Sequence, residues 1–359
     1  MGNATKRLLI YDPYLDTLGG GERYCLTVAE CLLAGDWQVD LPWRGRDIKR
    51  KLVNRFDLKI NKLKIINFDI LSQNLISKFR FFRSYDLIFW MSDGSVPFLF
   101  GKKNFLHVQV PFIGVRGKSL LNNFKFKFIG KTICNSQFTK KFVDQEFGIN
   151  SEVLYPPVDV KKFKSTQKEN IILAVGRFEE TMQAKKQDIL IRVFKNMVDR
   201  GLAGWKLVLA GGSLIEEEEN KFLTKLKNLA VGYPISFEVN TKFEQLKRIY
   251  SKAKFFWHAA GYGVDENREP WRVEHFGITV VEAMAAGCVP LVIDKGGLKE
   301  IVRRGAGERW KTIEELENKT LNFINNKERL NNCALKAQKE SLKFSKRNFC
   351  KQLMGLIKK

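Results

Sequence analysis

The chain has no CxxC pair, no Asp-x-Asp pair, and no apolar run approaching membrane-spanning length. Each absence excludes something. Six scattered cysteines (Cys25, Cys31, Cys134, Cys288, Cys333, Cys350) without paired spacing indicate neither a zinc site nor a disulfide framework. Buried thiols in a reducing cytoplasm are the expectation. Without roughly 20 consecutive apolar residues there is no candidate membrane helix. The start, MGNATKRLLIYDP, enters a strand directly and lacks a signal-peptide core. Without Asp-x-Asp the sequence requires no metal. Acids are also few: 39 Asp and Glu face 62 Lys and Arg, a formal charge of +23.

That charge is concentrated. Residues 44–143 hold 21 Lys/Arg against 5 Asp/Glu, so 21 − 5 gives a local +16. Basic and bulky apolar residues interleave in IKRKLVNRFDLKINKLKIINF and in RGKSLLNNFKFKFIGK. Such a face suits an anionic membrane surface or nucleic acid. The FKFKF of residues 124–128 favours the membrane, because it adds apolar insertion to charge.

At 359 residues and 44% hydrophobic content the chain is long enough for two domains, each with its own core. Strand-like and helix-like stretches alternate. KRLLIYD (6–12), YDLIFWM (85–91), KNFLHVQ (103–109) and KTICNS (131–136) read as strands of a first series. The polar, proline-bearing YPPVDVKKFKSTQKEN (155–170) reads as a linker. A second series follows: IILAVGR (171–177), KLVLAGG (206–212), ISFEV (235–239), AKFFWHA (253–259) and VPLVI (289–293). This alternation predicts an α/β protein with parallel sheets in two domains, residues 1–160 and 161–340. Residues 341–359 read as a final helix returning to the first domain. Ligands of such sheets bind at the carboxyl ends of the strands.

The candidate motifs gather at those ends. LGGGERY (18–24) lets backbone approach a phosphate or sugar through Gly20 and Gly21, and a helix start supplies N–H donors. It is not GxGxxG, so a nicotinamide reading is weak. Arg177 in VGRF and Lys186 in KKQD could jointly neutralise a diphosphate. Gly211 in LAGG (209–212) suits a nucleotide but also an ordinary turn. His107 in HVQVP ends a strand, a position where a lone histidine is more often structural. The most informative stretch is EHFGITVVEAMAAGCVPLVI (274–293). Glu274 precedes a helix starting near Gly277, and Glu282 lies one turn inside it. The N–H groups of Ile278, Thr279 and Val280 at the helix start suit a phosphate. Early-helix acids are also favoured by the macrodipole alone, so spacing by itself decides nothing.

With these residues assembled, the chain resembles the family-4 retaining glycosyltransferases of the GT-B fold, across nearly its whole length. The likeness rests on GGGER, HVQVP, NSQFT (135–139), YPPVD (155–159), VGRF with Lys186, LAGG, the E-x7-E from Glu274 to Glu282, and GGLKEIV (296–302). EHF and GGGER resemble the branch of lipid-linked mannosyltransferases. The resemblance implies two Rossmann-like domains whose parallel sheets face each other across a cleft. It implies that Glu274 contacts the donor sugar and Glu282 the nucleotide ribose. Arg177 and Lys186 would hold the diphosphate, Gly20 and Gly21 would line the phosphates and sugar, and His107 would touch sugar or acceptor. Gly211, Gly277, Ile278 and Thr279 would line the donor, and the region from Glu238 to Asn240 would cradle the base. The FEETMQA insertion leaves the choice between Lys185 and Lys186 open. The long loop 261–273 would shape acceptor specificity.

The implied reaction moves a hexose from GDP-mannose or a UDP-hexose to a lipid-linked saccharide or surface polysaccharide. It runs on one face of the sugar without a metal or other cofactor. The expected partners are a nucleotide sugar, a glycan or glycolipid acceptor and, through residues 44–143, an anionic membrane; nucleic acid is not among them. The expected location is cytoplasmic, peripheral on the inner face of the cell membrane. Two other readings stand beside it: a GT-B epimerase or phosphorylase acting on nucleotide or phosphorylated sugars, and a nucleic-acid-binding protein. The second leaves the glutamate motif unexplained.

Overall fold

Short apolar runs separated by amphipathic stretches fold, in this computed structural model, into two parallel sheets interleaved with helices. The structure describes residues 5–45, 47–180, 183–213, 216–217 and 219–358. The first four residues of the expected strand entry, Arg46 of the basic segment, and Thr181 and Met182 of FEETMQA therefore lie outside the described residues. The chain divides into two units, Met1–Pro157 with Phe349–Lys359, and Val158–Asn348.

The first unit runs β1 (Arg7–Tyr11), α1 (Gly20–Leu33), β2 (Gln38–Trp43), α2 (Ile48–Phe56), β3 (Lys64–Asn67), α3 (Leu75–Arg83) and β4 (Leu87–Met91). It continues through β5 (Lys103–Val108), α4 (Leu120–Phe126), β6 (Lys131–Cys134), α5 (Gln137–Phe147) and β7 (Glu152–Val153). The sheet order is β3-β2-β1-β4-β5-β6-β7, with every pairing parallel. Strands such as β1 and β4 are apolar almost throughout because they sit in the middle of the sheet, flanked by helices. Helix α1 buries Cys25, Leu26, Val28, Ala29 and Leu32 against β1 and β2. Each fully buried leucine is worth about 1.5–3 kcal/mol relative to exposure.

The second unit contains β8 (Glu169–Val175), α6 (Gln187–Asp199), β9 (Lys206–Gly211), α7 (Lys221–Ala230), β10 (Ile235–Val239), α8 (Phe243–Lys252) and β11 (Ala253–His258). It continues with α9 (Ile278–Ala285), β12 (Val289–Ile293), α10 (Leu298–Ile301), β13 (Glu308–Trp310), α11 (Ile313–Ile324), α12 (Lys327–Ser341) and the start of α13 (Lys346–Lys358). Its sheet order is β10-β9-β8-β11-β12-β13, again all parallel. Here the switch point lies between β8 and β11, where order reverses; ligands of such sheets bind at the carboxyl ends of the strands there.

One expectation about the cysteines is overturned. Cys31 on α1 and Cys350 on α13 form a disulfide across 319 residues of sequence. The last helix packs Phe349, Leu353 and Ile357 into the first unit's core, which brings the two sulfurs together. No local spacing announces such a pair, and the cysteines do not argue for a reducing compartment. Cys25, Cys134, Cys288 and Cys333 are buried free thiols. No helix among the described residues is long and apolar enough to cross a membrane.

Candidate active site

Strand β11 ends in His258, the chain loops out, and it returns to set Glu274 just ahead of α9. Two glycines fix that return. The Gly297 N–H donates to the Glu274 carbonyl at 2.9 Å. A β-carbon on Gly296 would collide with that same oxygen, and one on Gly297 with the His275 carbonyl. The GGLKEIV stretch therefore positions Glu274 through close backbone approach, a role only glycine can fill. Gly277, the N-cap of α9, has φ 109°, a left-handed value that also favours glycine.

The Glu274 carboxylate meets a lysine and a histidine. Lys185 Nζ donates to Oε2 at 2.7 Å, and His258 Nε2 lies 3.2 Å from the same oxygen. The Lys185 and Glu274 side chains are 19% and 15% exposed. Burial alone would push the Glu274 carboxyl up; Lys185 and His258 outweigh it and hold the group well below the usual carboxylate range. Burial pushes His258 down in spite of Glu274, so its imidazole is neutral at pH 7. His258 Nε2 faces Glu274, and Nδ1 has no hydrogen-bond partner among the described residues. Glu274 Oε1 has no protein donor among them either, leaving one carboxylate oxygen open to a hydroxyl.

Lys185, rather than Lys186, occupies this position. Lys186 sits at the N-cap of α6 with φ 56° and ψ 40° and makes no ion pair among the described residues. Gln187 follows it and donates from Nε2 to the Arg177 carbonyl at 2.9 Å, fixing the turn after β8. The Arg177 side chain is 58% exposed and turns to Glu179, with Nε 2.8 Å from Oε1. Gly211 ends β9 where a β-carbon would strike the Gly176 carbonyl, so its small size is demanded by packing of the two strand ends.

Helix α9 presents two of the three expected donors. The Ile278 and Thr279 N–H groups have no protein acceptor among the described residues, whereas Val280 N–H donates to the Gly277 carbonyl at 3.1 Å. Val280 is thus a correction: the first turn closes on it. Glu282 is 6% exposed, and the Tyr250 hydroxyl donates to its Oε2 at 3.2 Å. Burial, then Glu282, pushes the Tyr250 phenol well up, so it remains a donor. Glu238 on β10 accepts from Gln245 Nε2 at 2.9 Å and from Thr241 Oγ1 at 3.3 Å. Asn240 is left-handed, and its N–H donates to the Gly211 carbonyl at 2.9 Å.

In the first unit, Gly20 and Gly21 open α1. The Glu22 carboxylate takes the Gly19 N–H, and a β-carbon on Gly21 would press into Gln109. His107 departs from its expected role. It is 0% exposed, stacked 4.0 Å from the Tyr24 ring, with Nδ1 3.0 Å from the Ile133 carbonyl. Burial pushes it down to about 3. A ring enclosed in this way offers no surface to a sugar; it is a core residue. Sequence reading missed His258 and Tyr250. His258 shares the strand-end position that singled out His107, so the same signal was present there.

The Anabaena Alr3699/HepE structure in complex with UDP and glucose matches 98% of this chain and 99% of its own at TM-score 0.68 and 17% identity. The fold is that of a GT-B protein with two Rossmann-like units. The sequence profile described as Glycosyl transferases group 1 matches residues 157–340, and the chain belongs to that family. Among characterised sequences, the GDP-Man:Man(3)GlcNAc(2)-PP-Dol alpha-1,2-mannosyltransferase of Xenopus laevis is 32% identical over 162 residues, 42% of this chain and 30% of that protein. The Dictyostelium discoideum enzyme of the same name is 28% identical over 233 residues, 60% and 43% respectively. The chain thus spans less than half the length of these relatives.

Proposed function

We propose that the chain is a retaining glycosyltransferase that moves a hexose from a nucleotide-diphosphate sugar to a lipid-linked saccharide or surface-polysaccharide acceptor. The observation that carries this is the Glu274 carboxylate, held ionised by Lys185 with one oxygen open, at the carboxyl end of β11 beside the free N–H groups of α9. The donor is GDP-mannose or a UDP-hexose. GDP-mannose is favoured by the reaction for which the Xenopus and Dictyostelium relatives are named, and UDP by the HepE complex.

Breaking the glycosyl–phosphate bond sends the electron pair to the diphosphate and leaves positive character on the sugar. Arg177, Lys185 with the neighbouring Lys186, and the Ile278 and Thr279 N–H groups meet the first charge. Glu274 Oε1 accepts from a sugar hydroxyl and tolerates the second. The acceptor oxygen bonds to the anomeric carbon on the face the diphosphate leaves, and its proton passes to a phosphate oxygen. Configuration is retained without a protein nucleophile, and no metal is part of the scheme. Glu282 holds the ribose, and the backbone around Glu238 to Asn240 lies against the base. The enzyme works peripherally on the inner, anionic face of the cell membrane through residues 44–143.

A thermal-shift screen of GDP, UDP and their sugars against the full chain, followed by proton NMR of the product, tests the reading. Stabilisation by one donor and a product of the donor's own anomeric configuration are expected. An inverted product, or turnover of donor to an epimer or sugar phosphate without acceptor, overturns it.

A further inference from the structure

Two short helices of the first unit reverse the usual rule for apolar side chains. Helix α3 leaves Leu75, Ile76 and Phe79 exposed, and α4 leaves Leu120, Leu121 and Phe124 exposed, with Leu120 at 89%. Both triads have the spacing i, i+1, i+4, so each forms one face of its helix. Of the thirteen large hydrophobic residues exposed among the described residues, eight lie between Leu75 and Phe124. Packing does not hold these faces in place. Caps contribute instead: Asn74 accepts from the Ser77 N–H at 2.9 Å and Ser119 from the Asn122 N–H at 3.3 Å.

An aromatic run joins the two faces. Phe79 meets Phe100 edge-on at 5.2 Å, Phe100 stacks on Phe98 at 6.2 Å, and Phe98 meets Phe124 at 6.3 Å. The Lys125 ammonium sits 5.3 Å over the Phe98 ring. From Gly94 to Val143 the sequence has nine Lys/Arg and no Asp/Glu, and α3 adds Lys78, Arg80 and Arg83. The other basic stretch differs. Ile48, Leu52, Leu58, Ile60 and Leu63 of residues 48–63 all enter the core, so that segment offers charge without apolar insertion.

We propose that the strip from α3 through Phe100 and Phe98 to α4 is the membrane-inserting surface, and that its occupant is an anionic phospholipid bilayer. Leu75, Ile76, Leu120 and Leu121 enter the acyl boundary, while lysines and arginines beside them meet headgroup phosphates. This rests on the proposed use of a lipid-linked acceptor and narrows the basic segment to one strip. A second copy of the chain is disfavoured, because a two-fold contact would press this basic face against itself. Nucleic acid is matched by the charge but leaves the exposed leucines unexplained.

The test is flotation of the full chain with vesicles of phosphatidylcholine alone or with about a third phosphatidylglycerol. The variants are Leu75→Gln/Ile76→Gln, Leu120→Gln/Leu121→Gln and, as a control on the second unit, Leu335→Gln. Nucleotide-induced thermal shifts check that each variant is folded. Wild type and Leu335→Gln should float with the anionic vesicles, more weakly at high salt, and each double variant should lose about tenfold or more in partitioning. Failure of wild type to float, wild-type flotation by either double variant, or a wild-type dimer that the variants dissociate would overturn the proposal. Binding is read without turnover, so a chain that floats but transfers nothing refutes the transferase reading alone.

Discussion

Lys185→Ala, with Lys186→Ala beside it, probes the site most sharply. The Lys185 to Glu274 distance of 2.7 Å gives a gross attraction of about 6 kcal/mol at an effective dielectric of 20. Desolvation offsets much of that. With both side chains less than a fifth exposed, removing the lysine should cost about 3 kcal/mol, chiefly because a shielded carboxylate is left unpaired. The pH dependence supplies the sign. In the wild type the Glu274 carboxyl is depressed, so its stabilising contribution is present above its ordinary value of 4.5 and is lost as pH falls below it. Without Lys185, burial dominates and raises the carboxyl, so its contribution to stability should fall as pH rises through 4.5. Lys186→Ala should change stability by less than about 1 kcal/mol and leave the slope alone, because Lys186 makes no ion pair among the described residues. Denaturant unfolding between pH 4 and 7 reads both quantities. A larger loss for Lys186→Ala, or an unchanged slope for Lys185→Ala, refutes the assignment.

Asp12, just after β1, is buried with Oδ2 unpartnered among the described residues, and burial followed by Glu22 pushes it up to about 7. The gap from its ordinary 3.8 is worth at most ~4 kcal/mol. Its raised value means stability is intact below pH 3.8 and declines as pH climbs toward 7; Asp12→Asn should remove that decline and melt higher than wild type at pH 8, and equal melting would contradict it. Alkylation of the denatured chain should label four cysteines without reductant and six with it, and reduction should lower stability by about 2–4 kcal/mol; six labelled without reductant would mean that Cys31 and Cys350 are not joined. His107→Phe keeps a ring against Tyr24 and should leave transfer within about threefold of wild type; a hundredfold loss would return His107 to the site.

The strands legible in the sequence are short apolar runs bounded by polar residues, wherever they lie in the sheet: ISFEV and VPLVI match β10, at an edge, and β12, inside, residue for residue. Strand β2 was hidden by Asp40 and Pro42. Asp40 is buried, and it is satisfied by Arg7 at 2.9 Å and the Tyr85 hydroxyl at 2.8 Å, partners that sequence neighbourhood does not reveal. Strands β3, β7 and β13 are too short to show a period. The E-x7-E pattern was local and therefore readable. Its partners were not: Lys185 and Lys186 are adjacent and alike, and only the left-handed turn at Lys186 separates their directions. His107 and His258 both end strands, yet one is closed in by Tyr24 and the other faces Glu274. Tyr250 reaches Glu282 from 32 residues away, and Cys31 and Cys350 meet only because the last helix returns to α1.

Whether Glu274 acts on the sugar of a nucleotide donor is decided by one comparison. Wild type and Glu274→Gln are each given the stabilising nucleotide sugar and a polyprenyl-diphosphate-linked saccharide, with nucleotide release and acceptor mass followed together. Hexose transfer by wild type and a loss of about a hundredfold or more in Glu274→Gln are expected, with affinity for the free nucleotide unchanged. Full transfer by Glu274→Gln, or loss of nucleotide affinity in step with activity, would contradict it.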